Sequence, residues 1–127
     1  MNPTNLRYTD QHEWVKVEGS TVVVGITEYA QKALGDMTFV DLPKVGKSLA
    51  KGDEAVAVES CKAAASVYSP VSGKVLDVNS ALSDDPSAVN ADPYGAGWMV
   101  KISFDNPADL DTLMDAAAYD AFSGKEQ

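Results

Sequence analysis

The chain has 127 residues and a strongly acidic balance, with nineteen Asp and Glu against ten Lys and Arg. This length suffices for one hydrophobic core without disulfide or metal staples, so we expect a single domain over residues 1–127. The formal net charge of −9 argues against binding to nucleic acid or anionic membranes, because both attract basic surfaces.

The single cysteine, Cys61, excludes an internal disulfide and favours a reducing compartment. Residues 1–6 contain no basic segment followed by an apolar run, and no arginine-rich amphipathic pattern, so we expect neither a secretory signal nor a transit peptide. No apolar stretch approaches the length of a membrane span. These features predict a soluble cytoplasmic protein.

The N-terminal third predicts a β-hairpin followed by a short helix. Residues 13–17 and 21–26 are β-prone runs joined by a turn that contains glycine. Thr27 can cap a helix over residues 29–34, and Gly35 can end it. The chain therefore changes from a period of two to a helical period near Thr27.

The middle of the chain predicts further short strands separated by Gly- and Pro-containing turns. The predicted strands are residues 38–42, 54–60, 66–69 and 74–78. Many short strands with frequent turns are typical of a small barrel or sandwich. We therefore expect a mainly β fold, a flattened β-barrel or sandwich, with a short helix after the first hairpin.

Residues 83–97 are rich in Asp, Asn, Pro, Gly and Ala and show no sustained period, which predicts a structured surface loop. The last predicted strand covers residues 98–102. Helical signals then return. Asn106 followed by Pro107 is typical of a helix start, and apolar residues recur at helical spacing through Ala117. Asp115 can cap a second short helix that carries Tyr119 and Phe122.

Lys62 lies in the predicted turn between the strands at 54–60 and 66–69. Strands on both sides would fix its base and present its amine to a modifying enzyme. The residues of the surrounding turn are Glu59, Ser60, Cys61 and Ala63. Taken alone, an exposed lysine is most often an ordinary surface residue.

The motifs around Lys62 resemble the signature of lipoyl and biotinyl carrier domains. They are Val45-Gly46, Lys51-Gly52-Asp53, Val58-Glu59-Ser60-Cys61-Lys62-Ala63 and Ser69-Pro70-Val71-Ser72-Gly73. Biotin carriers usually have methionine on both sides of the modified lysine, whereas Cys61 and Ala63 flank Lys62. The resemblance therefore favours lipoate over biotin.

Further motifs resemble one family of lipoyl carriers, the H protein of the glycine cleavage system. They are His12-Glu13-Trp14-Val15, Val24-Gly25-Ile26-Thr27, Ala30-Gln31, Leu34-Gly35-Asp36, Phe39-Val40-Asp41-Leu42-Pro43 and Asp92-Pro93-Tyr94-Gly95-Ala96-Gly97-Trp98. The resemblance runs from about Tyr8 to Phe122. It implies a lipoyl-domain-like barrel-sandwich hybrid with an ordered core over about 8–122, short C-terminal helices and frayed termini.

The resemblance implies lipoate attached covalently to Lys62. It also implies a carrier that shuttles an aminomethyl group and catalyses nothing itself. The implied partners are the pyridoxal-phosphate-dependent glycine decarboxylase (P protein), the folate-dependent aminomethyltransferase (T protein) and lipoamide dehydrogenase (L protein). A lipoate ligase or a lipoyl/octanoyl transferase would attach the lipoate. We expect a monomer that binds neither nucleic acid nor membrane.

The resemblance also places Glu13 in a surface cleft that shelters the charged lipoyl arm, where a carboxylate would favour a protonated amine. The alternative for Glu13 is a solvated carboxylate at a strand end. Two residues depart from the family pattern. Ser66 stands where aspartate is usual, and Gln11 stands where serine is often seen. These departures predict looser sheltering of the arm, or sheltering by other groups.

Two other functions stay open at this point. One is a related lipoyl carrier that serves lipoate distribution or sulfur metabolism. The other is a thiol hydrolase in which Lys62 favours the thiolate of Cys61, although no base is adjacent and His12 is far along the chain. His12 is the only histidine, and the sequence shows no zinc-ligand spacing, so we expect no metal.

Overall fold

Two antiparallel β-sheets form most of the structure, a computed structural model that describes residues 3–126. The strands are Arg7–Tyr8 (β1), Glu13–Glu18 (β2), Thr21–Ile26 (β3), Met37–Asp41 (β4), Ser48–Leu49 (β5), Glu54–Ser60 (β6), Ala64–Tyr68 (β7), Gly73–Val78 (β8) and Val100–Phe104 (β9). The helices are Glu28–Leu34 (α1), Ala81–Asp84 (α2), Ala88–Ala91 (α3) and Ala116–Glu126 (α4), with a 3-10 turn at Pro107–Leu110. None of the helices within this range is long and apolar enough to cross a membrane.

The larger sheet has the strand order β1-β2-β3-β9-β8-β5, and the smaller sheet has the order β4-β6-β7. Val24 and Ile102 from the larger sheet and Val56 and Val67 from the smaller sheet belong to one buried apolar cluster. Both sheets therefore contribute one face to a shared core, as in a sandwich. This arrangement confirms the predicted mainly β fold, with two open sheets instead of one closed barrel across residues 3–126.

The N-terminal hairpin and the helix after it agree with the prediction. Strands β2 and β3 pair along their whole length, and Gly19 takes a φ of 63° in the turn between them. The Thr27 hydroxyl accepts a hydrogen bond from the Ala30 N–H at 3.3 Å and caps α1. Gly35 ends α1 with a φ of 82°, and its N–H donates to the Gln31 carbonyl at 2.9 Å. Local capping chemistry therefore sets both ends of α1.

The segment predicted as a loop at residues 83–97 contains helical turns, so that prediction is wrong in part. Helix α3 lies within the segment, and α2 overlaps its start. Leu82 and Val89, one from each helix, are fully buried in the main core. Each helix has only four residues, which is too short for a helical period to appear in the sequence.

The prediction of a helix that starts at Asn106 and Pro107 and continues through Ala117 is also wrong. Asn106 caps the segment as expected, with its side chain accepting from the Ala108 N–H, but only a 3-10 turn forms. Met114 exchanges two backbone hydrogen bonds with Tyr8, at 2.8 and 2.7 Å. This pairing with a distant strand replaces the helical hydrogen bonds at Met114. The second predicted helix is confirmed as α4, which Asp115 caps through a bond from the Ala118 N–H.

A second cluster of buried side chains joins the two ends of the chain. The Tyr8 ring stacks on Tyr119 of α4 with a centroid distance of 4.7 Å. Trp14 is buried beside them, and its indole N–H donates to the Pro93 carbonyl at 2.8 Å. Helix α4 is thereby held against β1 and β2, next to the start of α1.

The substitution Gly25→Ala should destabilise the fold. A Cβ at position 25 would lie 2.7 Å from the indole of Trp14. Trp14 is only 2% exposed and its indole N–H is bound to the Pro93 carbonyl, so a shift of the ring would disturb this hydrogen bond. We expect the free energy of unfolding to fall by about 1–3 kcal/mol in urea denaturation.

Gly124→Ala is the matched control, because a Cβ at this exposed position of α4 would meet no atom within 4 Å. Alanine favours the helix, so this variant should be neutral or slightly stabilised. Equal losses of stability in the two variants would contradict the close contact between Gly25 and Trp14.

Candidate functional site

Lys62 lies at the tip of a tight four-residue turn, residues 60–63, that joins β6 to β7. The Ser60 N–H donates to the Ala63 carbonyl at 2.8 Å. The Ser60 hydroxyl also accepts from the N–H groups of Lys62 and Ala63, at 3.2 and 3.1 Å. Strand β7 begins at Ala64, two residues earlier than predicted, so both strands support the turn directly. The turn therefore presents an exposed lysine from a fixed base.

The end of α1 supports this turn from one side. The Cys61 N–H donates to the Asp36 carbonyl at 2.9 Å. A Cβ built at Gly35 would lie 3.1 Å from Lys62 Cε and 3.3 Å from Cys61 Sγ. The lysine methylenes therefore cross directly over a glycine, where a larger residue would displace them. Within residues 3–126, no ion pair or hydrogen bond engages the Lys62 amine.

A groove of about 350 Å³ separates α1 from β7, and we call it the α1–β7 groove. Its α1 side contains Tyr29, Ala30, Ala33 and Leu34, and its β7 side contains Ala65, Ser66, Val67 and Tyr68. Leu34 directly precedes Gly35, so one end of the groove adjoins the methylenes of Lys62. Gln11 and His12 also line the groove. The groove offers mostly apolar walls to a flexible chain that starts at Lys62.

A second cavity of about 430 Å³ adjoins the groove, since Gln11 and Tyr68 line both. Glu13 lies in its wall and is only 2% exposed. Its carboxylate accepts hydrogen bonds from the Tyr68 N–H at 2.6 Å and from the Thr9 hydroxyl at 2.9 Å. The alternative of a solvated carboxylate at a strand end is therefore wrong, because Glu13 is buried and fixed by two donors.

Burial raises the pKa of Glu13 from 4.5 to about 7. The hydrogen bonds from Tyr68 and Thr9 oppose this rise, and the charge of Asp10 adds to it. Glu13 therefore keeps its proton to a higher pH than an ordinary glutamate does. A cation that entered the cavity would favour the ionised carboxylate, by attraction between opposite charges at short range.

Ser66, at the position where aspartate was expected, lines the α1–β7 groove. Its hydroxyl donates a hydrogen bond to the carboxylate of Glu54 on the neighbouring strand β6. A carboxylate is therefore present beside position 66, although it is supplied by β6 instead of β7. Gln11, the other departure, is exposed at the junction of the two cavities.

Cys61 is an exposed free thiol. In the described part of the chain, no hydrogen bond or ion pair engages its sulfur. His12 is held elsewhere, with Nδ1 lying 2.6 Å from the Tyr119 hydroxyl and its ring stacked on Tyr29. Among residues 3–126, no group of three or more His, Cys, Asp or Glu side chains could hold a metal ion.

The sequence did not identify Thr9, Tyr68 or Tyr119 as residues of the functional site. The Tyr68 contact uses a backbone N–H, which carries no side-chain signal. Thr9 lies four residues before Glu13, a spacing that predicts a turn but not a contact with a buried carboxylate. Tyr119 meets His12 across 107 positions of sequence, so only the folded chain brings them together.

Comparisons with known proteins agree on one family. A family model described as "Glycine cleavage H-protein" matches residues 6–126. A glycine cleavage system H protein of Parvibaculum lavamentivorans is 56% identical over 119 residues, which cover 94% of this chain and 95% of that protein. One from Myxococcus xanthus is 54% identical over 94% of this chain and 92% of its own length. The crystal structure of a glycine cleavage system H protein from Mycobacterium marinum superposes with a TM-score of 0.85 at 36% identity, covering 97% and 99% of the two chains.

Replacement of Glu13 by glutamine should remove a pH dependence of stability. Because the folded pKa, about 7, lies above the ordinary 4.5, the folded protein holds a proton that the unfolded chain releases. The contribution of Glu13 to the free energy of unfolding is therefore full below about pH 4.5 and falls as the pH rises to 7. Between pH 4.5 and 8, the wild type should lose about 3 kcal/mol relative to Glu13→Gln in chemical denaturation.

Glu18→Gln is the control, since Glu18 ends the same strand but is exposed and pairs with Lys16 across 3.5 Å. This variant should follow the wild-type curve. Parallel stability curves for the wild type and Glu13→Gln would refute the raised pKa.

Proposed function

The chain belongs to the glycine cleavage H-protein family, and we propose that Lys62 is the residue that carries its lipoate. Proteins of this family are non-catalytic carriers of the glycine cleavage system, with lipoate bound covalently to a lysine. The observation that supports Lys62 is its position at the tip of the β6–β7 turn, exposed and without an ion pair in residues 3–126. A modifying enzyme can reach this amine without unfolding any of the sheet.

When bound, lipoate supplies a disulfide that can be reduced and can carry an aminomethyl group at the end of a flexible arm. The protein itself positions the arm. The turn at residues 60–63 fixes the base of the arm, and Gly35 leaves room for the Lys62 methylenes. Tethering raises the effective concentration of the cargo at each partner without any catalysis by the carrier.

We propose that the arm rests in the α1–β7 groove and that its charged amine reaches the cavity of Glu13. The apolar side chains of Ala33, Leu34 and Ala65 fit the methylenes of the arm. The buried Glu13 carboxylate fits a protonated amine, because each charge then offsets the burial of the other. The carboxylate of Glu54 accepts a hydrogen bond from Ser66, which lines the groove.

The carrier role in the glycine cleavage system implies interaction with the other enzymes of that system. We propose three partners that act on the carrier in this order: glycine decarboxylase, aminomethyltransferase and lipoamide dehydrogenase. A lipoate ligase or lipoyl/octanoyl transferase would attach the lipoate before them. The net charge of −9 supports docking on basic surfaces of these enzymes. The relatives named above are bacterial, and we propose a monomeric carrier in the cytoplasm. Such a carrier would bind each enzyme in turn.

Lipoylation should be confined to Lys62. After expression with a lipoate ligase and lipoate, intact mass and peptide mapping should show one lipoyl group on the peptide that contains Lys62. Lys62→Ala should abolish lipoylation and the exchange of the glycine carboxyl with bicarbonate by glycine decarboxylase. The fold should stay intact, because Lys62 is exposed and its side chain makes no hydrogen bond within residues 3–126.

Lys47→Ala is the control, since Lys47 is also an exposed lysine in a connection between strands. It should be lipoylated and should support exchange as the wild type does. A Lys62 peptide without a lipoyl group would contradict the attachment site. A lipoylated protein that supports no exchange would instead count against glycine cleavage and favour another lipoyl carrier role.

The substitution Gly35→Ala should slow lipoylation of Lys62. Alanine is strained at a φ of 82°, and its Cβ would press on Lys62 Cε and Cys61 Sγ. Gly46→Ala has similar strain at a φ of 93°, but its Cβ meets no atom within 4 Å. Both variants should lose about 1–3 kcal/mol of stability, but only Gly35→Ala should be lipoylated more slowly in a timed mass assay. Equal rates of lipoylation in the two variants would show that Gly35 affects only the stability of the fold.

A further inference from the structure

His12 is the one residue other than glycine with a positive φ among residues 3–126, at 66°. This left-handed conformation is unfavourable for any residue with a Cβ, so surrounding contacts must hold it. The His12 N–H donates to the Thr9 carbonyl at 3.2 Å, and the His12 carbonyl accepts from the Thr27 N–H at 3.1 Å. The chain thus bends immediately before Glu13, whose side chain is buried.

The Tyr119 hydroxyl joins two elements that border the α1–β7 groove. It lies 2.6 Å from His12 Nδ1 and 2.7 Å from the hydroxyl of Thr27, which caps α1. The His12 ring also stacks on Tyr29 of α1 with a centroid distance of 4.4 Å. Tyr119 is fully buried, so water cannot readily replace its hydroxyl in these bonds. One hydroxyl therefore fixes the spacing between the His12 segment and α1.

We propose that Tyr119 is a positioning residue for the lipoyl arm. Its hydroxyl holds His12 in the left-handed conformation against α1, and His12 in turn directs the carboxylate of Glu13 to the place where the charged amine rests. Tyr119 itself lies outside the groove and acts through His12, which lines it. This proposal rests on the proposed attachment of lipoate to Lys62.

The test compares Tyr119→Phe with Tyr8→Phe. The two tyrosines stack on each other and are both fully buried, so each variant keeps a buried ring and loses one hydroxyl. Among residues 3–126, the Tyr8 hydroxyl donates to the Pro3 carbonyl and hydrogen-bonds to neither His12 nor α1. A purely structural effect should appear in both variants, whereas a positioning effect should appear only in Tyr119→Phe.

The first measurement is the titration of the Glu13 carboxylate, followed by carbon-13 NMR on the protein without lipoate. Tyr119→Phe should lower the midpoint by about one pH unit, because a freed His12 segment lets water reach the carboxylate. Tyr8→Phe should leave the midpoint near 7, the value that burial gives Glu13.

The second measurement is the loss of cargo from the loaded carrier in the absence of partners. One water attacks the aminomethyl carbon, the carbon–sulfur and carbon–nitrogen bonds break, and thiol, formaldehyde and ammonia are released. Tyr119→Phe should release ammonia about fivefold to tenfold faster than Tyr8→Phe, as expected for the loss of about one hydrogen bond.

Equal midpoints and equal release rates in the two variants would overturn the proposal. A missing lipoyl group on the Lys62 peptide would count against the attachment site, and the Glu13 titration would still decide the role of Tyr119. If Tyr119→Phe does not fold, His12→Gly replaces it, because glycine tolerates the left-handed backbone and removes the ring. An unchanged Glu13 midpoint in His12→Gly would then overturn the proposal.

Discussion

The fixed position of helix α1 is the constraint on which the site depends. The helix has seven residues, about 10 Å of length, and both of its ends are engaged in the site. At its start, the Thr27 hydroxyl caps the helix and contacts Tyr119. At its end, Gly35 lies beneath Lys62, and the next carbonyl binds the lysine turn. One short helix therefore connects the exposed lysine to the buried carboxylate region.

The two ends of this helix have opposite chemical environments. Lys62 is exposed and its turn is fixed through backbone hydrogen bonds, which suits the proposed site of lipoate attachment. Glu13 is buried, doubly hydrogen-bonded and has a pKa raised to about 7. A charged amine gains little from a surface carboxylate in water, but more from one that is already desolvated and held in place. This difference between an exposed lysine and a buried carboxylate supports the proposed direction of the arm, from Lys62 toward Glu13.

The C-terminal helix has a larger part in this arrangement than its sequence suggests. Helix α4 is short and rich in alanine, yet it contributes Tyr119, whose hydroxyl contacts two segments far away in the chain. The bridge between Met114 and Tyr8 holds the chain just before α4 against β1. The C-terminal segment thereby holds His12 and Thr27 in place beside the groove.

The sequence alone determined the hairpin, α1 with both of its caps, the strands beside Lys62 and the family resemblance, because these depend on local propensity and short motifs. It did not determine the two short helices that bury Leu82 and Val89, or the extended backbone at Met114. A single helical turn has no period to detect, and tertiary pairing can override a helical pattern. The burial of Glu13 and the contact from Tyr119 to His12 were decided only by the tertiary structure. Desolvation and hydrogen bonds across 107 positions arise only when distant segments fold together.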